Sequence, residues 1–174
     1  MKLNKFLGII ALPFLAVTLF AQEVEEVVIT GSYIKSSPTD GASPVEIIGR
    51  DEIDNLNATT IADITANIAV NSGSENNSDS FTQGSTQGTS NINLRGLGLS
   101  STLVLVDGKR HTLAANSAND GSVFVNTSSI PVIALDRVEV LKEGAASIYG
   151  SDAVAGVVNY ILRKDFTGLE VEVS

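Results

Sequence analysis

The 174-residue chain contains no cysteine and no tryptophan, a single histidine (His111), and only 11 basic residues against 20 acidic ones. Without cysteine there is no thiol nucleophile, no thiolate zinc site and no disulfide framework. One histidine leaves little material for a metal centre or an acid–base constellation. A net charge of −9 lacks the basic footprint of a nucleic-acid binder. The uncharged stretch from Phe6 to Phe20 stops at fifteen residues, short of the roughly 20 that a membrane-spanning helix needs. The length allows one domain and is too short to wall a wide transmembrane pore. A hydrophobic fraction of 43% is enough for a folded core.

Lys2 and Lys5 precede the apolar stretch, and polar Gln22-Glu23 follow Ala21. Residues 1–21 therefore read as an export signal cleaved after Ala21. Removing it leaves nine basic against 20 acidic side chains. An exported chain without cysteine fits a bacterial envelope.

Residues 22–43 contain, close to their start, Glu25-Glu26-Val27-Val28-Ile29-Thr30, a β-branched run halted by Gly31-Ser32 and followed by Ser, Pro, Asp and Gly. The pattern fits equally the first strand of the domain and a tethered peptide free to pair with a foreign sheet edge. Val45 to Ile48 reads as a strand. Thr59 to Val70 reads as a helix, with Ile61, Ile64 and Ile68 on one stripe and Thr60 and Asp63 as a capping-box variant. Asn71 to Ser90, rich in Ser, Asn, Gly, Gln and Thr, reads as a long, solvated polar loop. Strands are expected at Asn91–Arg95, Thr102–Val106, Asp136–Leu141 with one solvated face, and Gly156–Leu162. Asp107-Gly108 is a hairpin turn returning through Arg110 to Leu113. The class is α+β: a small mixed sheet with short helices and long polar loops.

Little here carries chemistry. Gly96-Leu97-Gly98 lacks the third glycine of a dinucleotide fingerprint, and no Gly-Lys-Ser/Thr follows it. His111 reads as a solvent-facing strand residue, and no metal-ligand spacing or carboxylate pair stands out. Neither an enzyme nor a cofactor is expected.

Several segments together resemble one family. They are Glu25-Glu26-Val27-Val28-Ile29-Thr30-Gly31-Ser32, Asn93-Leu94-Arg95-Gly96-Leu97-Gly98, Leu103-Val104-Leu105-Val106-Asp107-Gly108-Lys109-Arg110, Ile130-Pro131, Asp136-Arg137-Val138-Glu139-Val140-Leu141-Lys142, and Ile148-Tyr149-Gly150-Ser151-Asp152 running on to Asn159. In this order and spacing the chain, from about Glu25 to Glu172, resembles the N-terminal part of a TonB-dependent outer-membrane receptor. One departure is Lys142-Glu143-Gly144, where many such receptors carry Gly-Pro.

The resemblance implies a plug lodged in a barrel of about 22 strands, serving uptake of a small-molecule nutrient. It makes Glu26, Val27, Val28, Ile29 and Thr30 the TonB box, which pairs as an added strand with the C-terminal domain of TonB. It assigns Arg95 and Arg137 to carboxylates on the inner barrel wall, a pairing suited to a fork-shaped guanidinium. The plug would then run over residues 44–165. Leu169, Val171 and Val173, alternating with Glu170, Glu172 and Ser174, would begin the first barrel strand at 166–174. The reading is of a plug cut before its barrel and located at the bacterial outer membrane. The rival is a free periplasmic plug-like binding module without transport.

Overall fold

The computed structural model describes Thr30 and residues 45–75, 84, 86–142, 145–164 and 167–168. The signal segment, box residues Glu26 to Ile29 and the terminal alternation from Leu169 lie outside the described residues.

Five strands form one mixed sheet: β1 (Val45–Gly49), β2 (Thr102–Val106), β3 (Lys109–Arg110), β4 (Leu135–Leu141) and β5 (Gly156–Leu162). Their order is β1-β4-β5-β2-β3. β2 runs parallel to β5, and the other neighbours pair antiparallel. The β2–β3 turn has Asp107 at φ 49 and Gly108 at φ 74. Two consecutive positive φ values are what a two-residue hairpin matched to the strand twist requires. The return arm ends at Arg110 and does not continue to Leu113.

Among the described residues three short α-helices accompany the sheet: α1 (Arg50–Asn55), α2 (Ile61–Asn67) and α3 (Ala146–Tyr149). The capping box on α2 is present, with Thr60 and Asp63 exchanging side-chain and backbone hydrogen bonds. Its stripe of Ile61, Ile64 and Ile68 is buried. The helix stops at Asn67 because Ile68 turns to extended geometry, so it is shorter than the apolar period suggests. α1 follows β1 directly and was not expected. Arg50 holds it by an ion pair to Asp54 (2.7 Å) and by donating to the carbonyls of Val132 and Leu135.

Each face of the sheet is covered. Val138, Val140, Val158 and Tyr160 pack with Ile53, Ile61, Ile64 and Ile68 in the main core. On the reverse face Leu103, Leu105, Leu141 and Val157 pack against Ala145, Ala153 and Tyr149. The expectation that β4 has a solvated face is therefore corrected: Val138 through Leu141 are all buried.

Two further expectations change. Residues 91–94 are all buried and form no strand, only an isolated bridge from Leu94 to Asn71. Their backbone donors go to side chains instead. Leu94 N–H donates to Thr102 Oγ1 (3.0 Å) and Asn93 N–H to Asn71 Oδ1 (3.0 Å). The described flanks of the polar loop are partly anchored: Thr86 and Ser90 are buried, and Ser90 Oγ meets Thr127 Oγ1 at 2.7 Å, whereas Ser72, Gly73, Gln87 and Gly88 are exposed as expected. Short amide and hydroxyl side chains replace ladder bonds here, a use of Asn and Ser that composition alone does not reveal.

Candidate functional site

The central strands β4 and β5 put Glu139 directly opposite Asn159, and both are fully buried. A carboxylate there is tolerable only when it is paired and hydrogen-bonded. Arg137, two residues earlier on the same face, donates from Nε to Glu139 Oε1 (2.9 Å) and from Nη1 to Asp136 Oδ2 (2.7 Å). The other oxygen, Oε2, is satisfied from far away in the chain. Thr30 donates its backbone N–H to it at 3.1 Å and its hydroxyl as well. That hydroxyl also accepts from Asn159 Nδ2 (2.8 Å), while Asn159 Oδ1 accepts from Gly108 N–H (3.0 Å).

A continuous polar network thus runs Gly108, Asn159, Thr30, Glu139, Arg137, Asp136. It crosses the sheet on the face turned away from α1 and α2. Thr30 itself is 3% exposed. Of the five box residues, this is the one whose placement is described.

Arg95 is built differently. Its backbone is left-handed (φ 58), its N–H donates to the Val70 carbonyl, and its exposed side chain donates to the carbonyls of Ala155 (Nε, 3.2 Å) and Val154 (Nη2, 2.7 Å). Ala155 precedes β5, whereas Arg137 pairs with Ile161 near its end. The two arginines are therefore separated along β5 by about 20 Å and do not form one site.

A cleft of about 420 Å³ opens between β2 and the 110–125 loop, lined by Leu103, Arg110, His111, Phe124 and Asp152 among others. Arg110 and Asp152 pair at its edge, and hydrogen bonding to Arg110 holds the Asp152 carboxyl below the usual range. His111 is half-buried; its ring Nδ1 lies 3.2 Å from the neighbouring Thr112 carbonyl oxygen, and its backbone N–H donates to the Val104 carbonyl. Nothing in this cleft pairs a nucleophile with a base.

Residues 37–157 match the family model described as TonB-dependent Receptor Plug Domain. The chain belongs to that family. Among curated relatives, the Vitamin B12 transporter BtuB of Vibrio vulnificus is 36% identical over 144 residues, which are 81% of this chain and 21% of that protein. The Iron-regulated outer membrane virulence protein of Vibrio cholerae is 41% identical over 78 residues, 44% of this chain and 12% of the relative. Solved structures of similar fold include the siderophore receptor PirA from Acinetobacter baumannii (TM-score 0.51, 29% identity, 69% of this chain and 17% of that one). A doubly substituted ferric enterobactin receptor PfeA from Pseudomonas aeruginosa is also similar (TM-score 0.52, 27% identity, 71% of this chain and 18% of that one). The chain spans at most about a fifth of the length of these curated relatives.

The matched stretch of this plug domain includes Arg95, Arg137 and Glu139 and ends before Asn159. Sequence reasoning named Thr30 and both arginines but missed Glu139 and Asn159. A signal for each was present: a carboxylate between Val138 and Val140, and a lone amide inside Val157-Val158-Asn159-Tyr160-Ile161. A polar residue in a strand buried on both faces needs a buried partner.

Proposed function

We propose that this plug domain is the gate of an energised outer-membrane receptor for a small-molecule nutrient. The observation that carries the reading is the family match over residues 37–157, which takes in the ordered motifs from Asn93 through Val157. Residues 1–21 export the chain, 22–43 form the TonB box and its linker, 44–165 form the plug, and 166–174 begin the first barrel strand. Glu26 to Thr30 pairs as an added strand with the C-terminal domain of TonB. Main-chain hydrogen bonds supply the affinity there, and alternate side chains the selectivity.

Arg95 and Arg137 face carboxylates of the surrounding barrel. Support comes from the exposure of Arg95 and from the placement of Arg137 beside Asp136, where a further carboxylate would extend an existing ion-pair network. Nutrient binding at the loops around 71–90 and 114–126 makes the box available, TonB pulls, and the plug shifts. Similarity to proteins named for vitamin B12 and for ferric enterobactin supports a small-molecule nutrient as the ligand.

The test is titration of the purified chain with a TonB C-terminal domain. Saturable binding is expected, lost in Val27→Pro or in Val28→Pro. Adjacent strand residues point their N–H groups to opposite sides, so one of the two must donate to the partner. Undiminished binding by both proline variants, or no binding while a control box peptide binds, would overturn the proposal.

A further inference from the structure

We propose that the nutrient-facing surface of this plug takes an uncharged, hydroxyl-rich ligand and disfavours a polyanionic one. This ligand class rests on the reading that the loops around 71–90 and 114–126 meet the nutrient. From Asp51 to Leu94 and from His111 to Asp136 the chain has no lysine and no arginine. Both loops lie inside these stretches, and they carry the carboxylates of Glu75, Asp79 and Asp120. Recognition of a polyanion relies on cationic side chains, arginine forks above all. These loops supply none.

The fold fixes one of these carboxylates where the loops join. Asn91 is 1% exposed, and its Oδ1 accepts the Glu75 N–H at 2.8 Å. The Glu75 carboxylate reaches across to the other loop and accepts the Asn119 N–H, at 3.2 Å to Oε1 and 3.4 Å to Oε2. A second tie lies at the loop bases. There Asn126 Oδ1 accepts the Ser90 N–H (3.2 Å), and the Thr127 N–H donates to the Ser90 carbonyl (2.8 Å). The two ties hold the loops as one surface. Next to Asn119, the exposed Asp120 accepts from the Ser122 N–H (2.8 Å) and hydroxyl (2.6 Å), bonds that hold its carboxyl below the usual range. Among the described residues no cation pairs with Glu75 or Asp120. Arg95, the first cation after Glu75 in the chain, turns its guanidinium to the carbonyls of Ala155 and Val154.

Hydrogen-bonding capacity narrows the class further. An ionised carboxylate only accepts, so Glu75 and Asp120 require donors on the ligand. The same cluster holds buried groups with capacity left over: Asn91 Nδ2 and Thr86 Oγ1, on residues 1% and 0% exposed, have no hydrogen-bond partner among the described residues. Asn91 Oδ1 is bonded to the Glu75 amide, so Nδ2 of the same amide group lies at the join of the loops. Its unused protons require an acceptor. A hydroxyl group donates and accepts at once, and so meets both needs, directly or through a bridging water. A chelate whose outer face is carboxylate or catecholate oxygen offers acceptors alone and sets them against carboxylates.

The experiment is an NMR titration of the full isotope-labelled chain, following the amides of Glu75, Asn119 and Ser122. One probe is a neutral linear glucose hexasaccharide; the other is a trianionic ferric tris(catecholate). The hexasaccharide is expected to shift these amides. The ferric tris(catecholate) is expected to bind there about tenfold more weakly or worse at low salt, with the gap narrowing at high salt as the repulsion is screened. Glu75→Gln combined with Asp120→Asn removes both charges and keeps the side-chain shapes, and it is expected to narrow the gap at low salt as well. Tris(catecholate) binding at these amides as tight as that of the hexasaccharide, or tighter, overturns the ligand class and leaves the loops as the nutrient surface. Shifts confined to residues outside both loops, or none with either probe, overturn the class together with the loop reading beneath it. Neither loop belongs to the TonB box, so binding of a TonB C-terminal domain by the same sample reports on the gate independently.

Discussion

Gly156 and Leu141 are in backbone contact that leaves no room for a side chain: a Cβ on Gly156 would lie 2.5 Å from the Leu141 carbonyl oxygen and 2.7 Å from Leu94 Cδ1. Gly156 also sits at φ +138, where L side chains are strained. It opens β5, the strand that joins the two halves of the sheet. Gly156→Ala is expected to destabilise the domain by about 3 kcal/mol or more. Urea denaturation followed by circular dichroism measures this, and a variant within about 0.5 kcal/mol of the parent would refute it.

Thr102 is 6% exposed, and its hydroxyl accepts the Leu94 N–H at 3.0 Å. Thr102→Val preserves shape and leaves that buried donor unpaired. A loss of about 1–3 kcal/mol is expected, whereas Thr102→Ser, which keeps the acceptor, loses less. The same denaturation assay separates the two.

Burial acts to raise the Asp63 pKa, but hydrogen bonds from Thr60 and Thr59 outweigh it and hold the carboxyl below its ordinary value. The folded value lies below the unfolded one, so the contribution is present above about pH 4 and is lost as pH falls through the folded value. Asp63→Asn is expected to flatten stability against pH in that acidic window and to leave its shape near neutrality unchanged. Thr60→Ala removes the helix cap and costs about 1 kcal/mol. Thermal melts between pH 2.5 and 7 test both.

Arg110 and Asp152 are each half exposed, with side-chain exposures of 52%. Solvent screening limits such a pair to less than about 1 kcal/mol. Asp152→Asn is expected to leave the unfolding midpoint nearly unchanged at 0.5 M salt. A large, salt-independent loss would show that Asp152 has a structural role beyond the pair.

Much of the sheet was legible because its strands are β-branched runs with clear borders. Gly156 to Leu162 and Thr102 to Val106 occupy the expected residues, and the Thr60–Asp63 box starts α2 as read. What failed has a common cause. Residues 91–95 alternate like a strand, yet Thr102 and Asn71 take their backbone donors. The alternation of β4 suggested water on one side, yet Glu139 is covered by Thr30 from 109 residues away. Periodicity reports which side chains share a face, not what lies over that face. α1 escaped because six residues are too few to display a helical period.

The order β1-β4-β5-β2-β3 also bears on how the chain is made. β5 is the last of the described strands in sequence, yet it lies at the centre of the sheet between β4 and β2. Until residue 162 emerges from a ribosome or a translocation channel, the β1–β4 and β2–β3 pairs have no strand to join them. A sheet completed by its final segment folds late, since its decisive contacts are distant in sequence. Under the proposed export, that delay keeps the chain extended enough to be threaded across one membrane, and the sheet closes only when β5 has arrived.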